Sequence, residues 1–363
     1  MTRVAIAGGG TGGHLFPALA VGDALVERGL ARSEVLFVGG ERGLEQRLVP
    51  RHGFPLETLP ARPFLGQGAA ARLGAVIALP GVVATARRLL ARFAPDCLLG
   101  VGGYASVPAA LAARTLGVPL ILQEQNRWPG LANRLLARLA RRVCVVDDGV
   151  AHFFPRGRCV ATGNPVPGER QQAGSPEELG LTAGRFTLLV IGGSRGAVAL
   201  NEAMAEAAPL LADRGGGLQI LHACGDHPTP PLSAAYADAG IHAQVVPFID
   251  RMGAAYGLAD AIIGRAGALT CQEIANAGLP SLLIPYPYAT HDHQYHNALR
   301  LQEAGAAEVV RQTDIDGARI AATIRAWLDD PVRRTRQATA ARSLAAPNAA
   351  AQVAGEVLAA AGK

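Results

Sequence analysis

One lysine, Lys363, is all that the 363-residue chain carries, and charge of any kind is scarce, at 17% of residues. Half the residues are hydrophobic. That balance excludes a disordered or low-complexity chain, because the apolar material is enough for full cores. Cysteine is sparse as well. The five thiols at 97, 144, 159, 224 and 271 are scattered, odd in number and without a CxxC pair. A disulfide scaffold and a zinc ribbon are both excluded, and a reducing cytoplasm fits. Met1 leads at once into Val4-Ala5-Ile6-Ala7 with no charged n-region and no long apolar h-region, so no signal peptide is expected. The uncharged stretch 73–86, LGAVIALPGVVATA, is too short, and interrupted by Pro80-Gly81, to span a bilayer, which needs ~20 apolar residues.

What charge there is has a basic excess, +5 with a pI near 9.2, nearly all of it arginine. Such an excess suits an anionic partner: nucleic acid, acidic phospholipid or a phosphorylated substrate. It does not choose among them. The length exceeds what one core usually serves, so two domains are expected.

Short apolar runs at 4–7, 35–38, 97–100, 120–123 and 142–146 read as strands buried on both faces. Helical stretches at 17–28, 106–115 and 130–139 lie between them. A turn-rich connector, TGNPVPG, then a polar run, occupies 162–178. Beyond it the pattern restarts, with strands at 187–191, 218–222, 243–247, 261–263 and 281–284. The reading is α/β: two Rossmann-like, doubly wound parallel-sheet domains facing a cleft. The expected boundaries are 1–163 for the first domain, 164–340 for the second and 341–363 for a terminal helix. That helix, at 348–361, could fold with either domain; packing back on the first is the expectation.

Each half opens with a strand running into glycines, 8–13 in one and 192–196 in the other. Gly8, Gly10 and Gly13 form a GxGxxG pattern that opens a helix, a place where backbone N–H groups face a phosphate. A dinucleotide site also wants an acid at the end of the second strand, where this chain has Gly39-Gly40 and then Glu41. His14 follows the loop directly, at the carboxyl end of the first strand, where open α/β sheets hold ligands. Imidazoles can accept a proton from an attacking hydroxyl; the plain alternative is a first-turn histidine bonded to its neighbours. Gly100 to Ser106 and Gln123-Glu124-Gln125-Asn126 also follow strands, placing Gly103, Tyr104 and Asn126 near the same crevice. In the second half, the amides of Ala268, Leu269 and Thr270 start a helix and form an anion-binding end. Glu273 lies on the same face and can accept both hydroxyls of a ribose; the plain alternative is a first-turn acid favoured by the helix dipole. The run 288–297, YATHDHQYHN, has histidine spacing that suggests a metal, but a polar loop binding sugar hydroxyls through Gln294 is the favoured reading, and no metal is expected. For 73–92 two readings stand: a buried helix, or an interfacial patch, since Arg87, Arg88 and Arg92 follow the apolar run.

Six motifs in order, GGGTGGH at 8–14, GVGGYAS at 100–106, EQN at 124–126, GGSRGA at 192–197, RAGALTCQE at 265–273 and DHQYHNA at 292–298, closely resemble the MurG family of N-acetylglucosaminyltransferases. The resemblance runs from residue 4 to about 345. It implies a GT-B fold of glycosyltransferase family 28 and an inverting transfer of GlcNAc from UDP-GlcNAc to the muramyl C4 hydroxyl of undecaprenyl-pyrophosphoryl-MurNAc-pentapeptide, turning lipid I into lipid II in peptidoglycan synthesis. The first domain would serve the acceptor and membrane, the second UDP-GlcNAc. By the same resemblance Ile249 meets the uracil through its backbone and Glu273 the ribose. Ser194 and the Ala268, Leu269 and Thr270 amides hold the diphosphate, and Gln294 the sugar. Thr11, Gly12, Gly13 and Asn126 reach donor or acceptor, and His14 is the candidate base or a ligand of the acceptor diphosphate. No cofactor is implied. The implied partners are an anionic membrane surface, met peripherally on the cytoplasmic face of the inner membrane, and cell-wall synthesis proteins, not nucleic acid. The family commonly has an arginine after Gly163-Asn164-Pro165-Val166 that contacts the donor; here Pro167 stands there, with Arg170 and Arg195 as candidate substitutes. Against this stand an NAD-dependent oxidoreductase using the first glycine loop, a UDP-sugar epimerase or glycolipid transferase of the same fold class, and a non-catalytic nucleotide-binding scaffold.

Overall fold

The computed structural model describes residues 2–61, 69–193 and 196–362. The chain divides into two compact units, Met1–Pro167 with Ala346–Lys363, and Gly168–Ala345. These limits differ from the sequence boundaries for packing reasons. Asn164 is tied into the first unit by hydrogen bonds to Gln123 and Gln125, and Ala341 and Leu344 pack in a core of the second.

The first unit runs β1 (Val4–Gly8), α1 (Gly12–Glu27), β2 (Val35–Gly40), α2 (Glu45–Arg51), β3 (Leu56–Leu59), α3 (Ala69–Phe93), β4 (Cys97–Gly102), α4 (Ser106–Thr115), β5 (Leu120–Glu124), α5 (Leu131–Leu136), β6 (Arg142–Val145) and β7 (Cys159–Ala161). Its seven strands are parallel in the order β3-β2-β1-β4-β5-β6-β7. Side chains alternate across such a sheet. Along β1, Val4 and Ile6 therefore join a core with Leu15 and Leu19 of α1, while Ala5 and Ala7 join another with Leu90, Ala109 and Ala113 of α3 and α4. The last helix of the chain covers the first of these faces: Val353 and Val357 are fully buried there, each contributing about 1.5–3 kcal/mol of hydrophobic burial.

The second unit runs β8 (Phe186–Ile191), α6 (Val198–Ala207), β9 (Leu218–Ala223), α7 (Pro230–Asp238), β10 (His242–Val246), α8 (Met252–Leu258), β11 (Ala261–Gly264), α9 (Ala268–Ala277), β12 (Ser281–Leu283), α10 (His293–Glu303), β13 (Ala307–Val309), α11 (Gly317–Asp329) and α12 (Pro331–Arg342); the returning helix is α13 (Ala349–Ala360). Its six strands are parallel in the order β10-β9-β8-β11-β12-β13. In both sheets the strand order reverses beside the first strand. Loops leaving β1 and β4, and those leaving β8 and β11, therefore flank the switch points where doubly wound sheets hold ligands.

Pro80 and Gly81 do not interrupt α3, which runs through them. Pro80 is exposed, so the carbonyl it leaves without a helical donor is open to water. Burial divides this stretch in two. Val82, Ala86, Leu89 and Leu90 are buried, whereas Val76 and Ile77 are 53% and 71% exposed. Among the described residues no helix is long and apolar enough to cross a membrane.

Candidate active site

In the first unit, β1 ends in Gly8 and passes through Gly9 and Gly10 to Thr11, the extended residue before α1. The first-turn N–H groups of Gly12 and Gly13 project from the helix start, which carries partial positive charge. His14 sits one residue further on, half-buried, its ring against the α-carbon of Gly102, where a methyl group would come within 2.9 Å. Nδ1 of His14 lies 3.2 Å from Oε1 of Gln125. Gln125 donates its amide NH2 to the Val101 carbonyl at 2.8 Å and to Oε1 of Gln123. Its oxygen must then be the group facing His14, so Nδ1 carries the proton and the lone pair is on Nε2. The bond network thus fixes the tautomer and the position of the ring. It is anchored below, since Gln123 donates to Oδ1 of Asn164 at 3.2 Å and Asn164 donates to the Gln125 carbonyl at 2.8 Å. All three side chains are buried.

The loop after β4 meets the loop after β1. Gly103 has φ 82°, and a methyl group there would fall 2.4 Å from the Gly9 carbonyl oxygen, so only glycine fits. Tyr104 donates its hydroxyl to the Arg42 carbonyl at 2.6 Å, and burial, then the charge of Glu45, raises its phenol above the ordinary value. Asn126 directs both its backbone N–H and its side-chain NH2 to Oε1 of Glu124, at 2.9 and 3.2 Å.

Glu45 is absent from the sequence-based set. It is 1% exposed and accepts the N–H of Gly10 on Oε2 and that of Gly40 on Oε1, both at 3.1 Å. Glu45 faces the glycine loop, where it occupies an amide that a pyrophosphate would need. A buried carboxylate there also repels phosphate. This weighs against the NAD reading.

In the second unit, α9 begins at Ala268 after an extended Gly267 and closes on a left-handed Gly278. Ala268 and Thr270 are half-buried and Leu269 is buried. One turn on, Glu273 is 4% exposed. Its Oε1 accepts from Arg170 at 2.5 Å and its Oε2 from the Tyr256 hydroxyl at 2.8 Å. Burial alone would lower the Arg170 pKa, but the charge and hydrogen bond of Glu273 outweigh it and the net shift is upward. Burial and then Glu273 push the Tyr256 phenol well above its usual range. Each Glu273 oxygen thus holds one protein donor, leaving room for a second acceptor contact on each. Arg170, three residues past Pro167, is the candidate substitute arginine that reaches this cluster. Arg195 and Ser194 lie outside the described residues.

Ile249 buries its side chain with Met252 and Tyr256. Gln294 lies in the first turn of α10 rather than in a loop. It accepts the Tyr286 N–H at 2.9 Å, which turns its NH2 outward as a donor. Just before it, His291 and Asp292 both hold left-handed backbone, φ 50° and 55°, a conformation that costs about 1–3 kcal/mol per residue and clusters at binding sites. Arg265, also missed, braces this region by donating to the carbonyls of Ile284 and Pro285 and to Gln312. Among the described residues no three His, Cys, Asp or Glu side chains converge to hold a metal.

Comparison with known proteins agrees with this architecture. Residues 4–145 match the N-terminal domain model of glycosyltransferase family 28, and residues 187–353 match its C-terminal domain model. A protein of Myxococcus xanthus is 41% identical over 98% of this chain and 92% of its own length; one of Geobacter metallireducens is 42% identical over 98% of both. Both are named UDP-N-acetylglucosamine–N-acetylmuramyl-(pentapeptide) pyrophosphoryl-undecaprenol N-acetylglucosamine transferase. The crystal structure of Acinetobacter baumannii MurG superposes with a TM-score of 0.79 at 32% identity, covering 99% of this chain and 100% of that one. With two doubly wound parallel sheets and both domain models matched in order, the chain belongs to glycosyltransferase family 28 and has the GT-B fold.

Proposed function

We propose that this chain transfers N-acetylglucosamine from UDP-GlcNAc to the muramyl C4 hydroxyl of lipid I, forming lipid II with inversion at the anomeric carbon. The observation that carries the reading is identity above 40%, over 98% of the chain, to proteins named for this transfer.

The step is one displacement. The acceptor oxygen forms a bond to the anomeric carbon as the bond from that carbon to the UDP oxygen breaks, and the hydroxyl proton passes to Nε2 of His14. The first unit serves the acceptor, through His14, Gly103, Tyr104 and Asn126. The second holds the donor: Ile249 through its backbone on the uracil, Glu273 on the ribose, Gln294 on the sugar. Negative charge grows on the departing diphosphate. The first-turn amides Ala268–Thr270, with Ser194, are fixed dipoles aimed at it, and such groups stabilise a transition state without reorganising. Thr11, Gly12 and Gly13, at the start of α1, serve the acceptor beside His14. Arg170 donates to Glu273 and keeps that carboxylate oriented.

The exposed end of α3 supports a peripheral membrane role. Val76 and Ile77 offer apolar surface, and Arg87 and Arg88 further along the helix offer charge to anionic lipid, while Arg92 is paired with Glu57. On this reading the protein works peripherally on the cytoplasmic face of the membrane, where it meets its lipid-linked acceptor.

Incubation of the pure chain with labelled UDP-GlcNAc, with and without lipid I, tests the transfer. Lipid-borne label that depends on the acceptor is the expected result. Conversion of the nucleotide sugar without acceptor means an epimerase instead.

A further inference from the structure

The glycines of the first unit fit a different guest from the one their pattern suggests. Methyl groups added at Gly9, Gly39 and Gly43 would fall 2.9, 2.7 and 2.3 Å from atoms of the Glu45 side chain. Methyl groups at Gly10 and Gly40 would fall 2.7 and 2.4 Å from the Tyr104 ring. Five glycines, two from the loop after β1 and three from the end of β2 and the loop beyond it, are thus shaped around one carboxylate and one phenol of this chain. Glu45 bridges the two loops through the Gly10 and Gly40 amides, and Tyr104 lies over both glycines and bonds Arg42 beyond them.

We propose that Glu45, capped by Tyr104, is an internal anion that occupies the apparent phosphate loop and sets the position of the segment carrying His14. Glu45 and Tyr104 are then positioning residues for the transfer. The proposal rests on the function assigned above and deepens it by moving Tyr104 from acceptor contact to support. Two features make the carboxylate the right group. Both its neighbours are N–H donors, so an ionised, acceptor-only side chain satisfies both, whereas an amide satisfies one and presents its own NH2 to the other. The loop it holds runs from Gly10 to the start of α1, four residues from Gly10 to His14, so a displaced Gly10 moves the base relative to its target.

The test uses the full-length protein in the acceptor-dependent transfer assay, with donor affinity measured separately by calorimetric titration of UDP-GlcNAc. Activity of the unaltered chain establishes the function itself; its absence would refute that assignment and not this one. Given activity, Glu45→Gln is expected to lower kcat/KM for lipid I about a hundredfold, the loss a misplacement near 1 Å produces. Its UDP-GlcNAc Kd should remain within about threefold. Gly39→Ala, which crowds the Glu45 Cγ, should reproduce the loss, and the double variant should be no worse than the stronger single, since both act on one clamp. Tyr104→Phe, which keeps the ring and removes one hydrogen bond, is the milder probe and should cost about tenfold with its melting temperature unchanged. Turnover of Glu45→Gln close to normal overturns the proposal. So do losses that multiply in the double variant, or a matching fall in donor affinity, either of which marks general damage. Should Glu45→Gln not fold, Tyr104→Phe decides alone: normal acceptor kinetics refute the clamp.

Discussion

Replacing Arg170 with methionine removes the guanidinium and keeps most of the apolar stem. In the native chain the Arg170 side chain is 14% exposed and that of Glu273 3%, with Nη1 and Oε1 2.5 Å apart. At that depth solvent screens little, and removing one partner strands the other. Loss of one member of a buried pair costs about 3–5 kcal/mol, whereas removal of both together is often close to neutral. For a domain of this size each kcal/mol is worth roughly 2–4 °C, so Arg170→Met should melt roughly 6–20 °C below the native chain in differential scanning calorimetry. Glu273→Gln should also destabilise, because it strands Arg170. The double variant should recover at least half of the Arg170→Met loss, a coupling that additive effects would not produce. UDP affinity should fall about tenfold in Arg170→Met, since the carboxylate loses the donor that orients it. A variant melting within ~2 °C of native, or a double variant that sums the two singles, would show that the pair does not hold this part of the second unit together.

His14→Ala should cost 10²–10⁴-fold in kcat, the usual worth of a general base, and Gln125→Leu should lose part of that by releasing the tautomer; stopped-assay kinetics decide both. Ile77→Asp should weaken co-sedimentation with anionic vesicles. Replacing Arg87 and Arg88 with glutamine should weaken it by about 1 kcal/mol each and only where the lipid is anionic, so equal loss on neutral vesicles would refute the charge argument. His222 gives a pH prediction. It is fully buried between Tyr236 and Asn201, and burial lowers its pKa from 6.5 to about 3. The unfolded chain therefore takes up this proton first as pH falls, so stability from this site is complete above pH 6.5 and is lost as pH drops toward 3 at ~1.4 kcal/mol per unit. The melting-temperature advantage of the native chain over His222→Gln should shrink steadily from pH 7 to pH 4.

The sheets were legible because strands buried on both faces leave continuous apolar runs. Nine of the strands show that pattern, and β10 is legible from its apolar residues although it is half-buried along its length at a sheet edge; β3, β7 and β13 are not. Each is short and lies at a sheet edge: Glu57 breaks the apolar run of β3 and Glu308 that of β13, and β7 has only the three residues Cys159–Ala161. The strand-end loops that carry the candidate site were equally legible, since glycine after a buried strand marks a place of close approach. What could not be read were the partners. Gln125 lies 111 residues from His14 and Arg170 103 residues from Glu273, and no local pattern pairs positions so far apart. Arg170 sits in a segment that reads as polar connector, and only the family resemblance singles it out, without its partner. Glu45 was hidden by its own motif: glycines that admit a carboxylate look the same in sequence as glycines that admit a phosphate. The interruption expected at Pro80 failed because an exposed proline can leave its carbonyl to water and let the helix continue.

Transfer by the pure chain itself is the most direct measurement. With UDP-GlcNAc labelled in the sugar and lipid I presented in anionic vesicles, label should move into lipid in step with UDP release, one for one, and the His14→Ala protein should do so far more slowly. UDP release or sugar rearrangement that proceeds equally well in vesicles without lipid I would contradict the account.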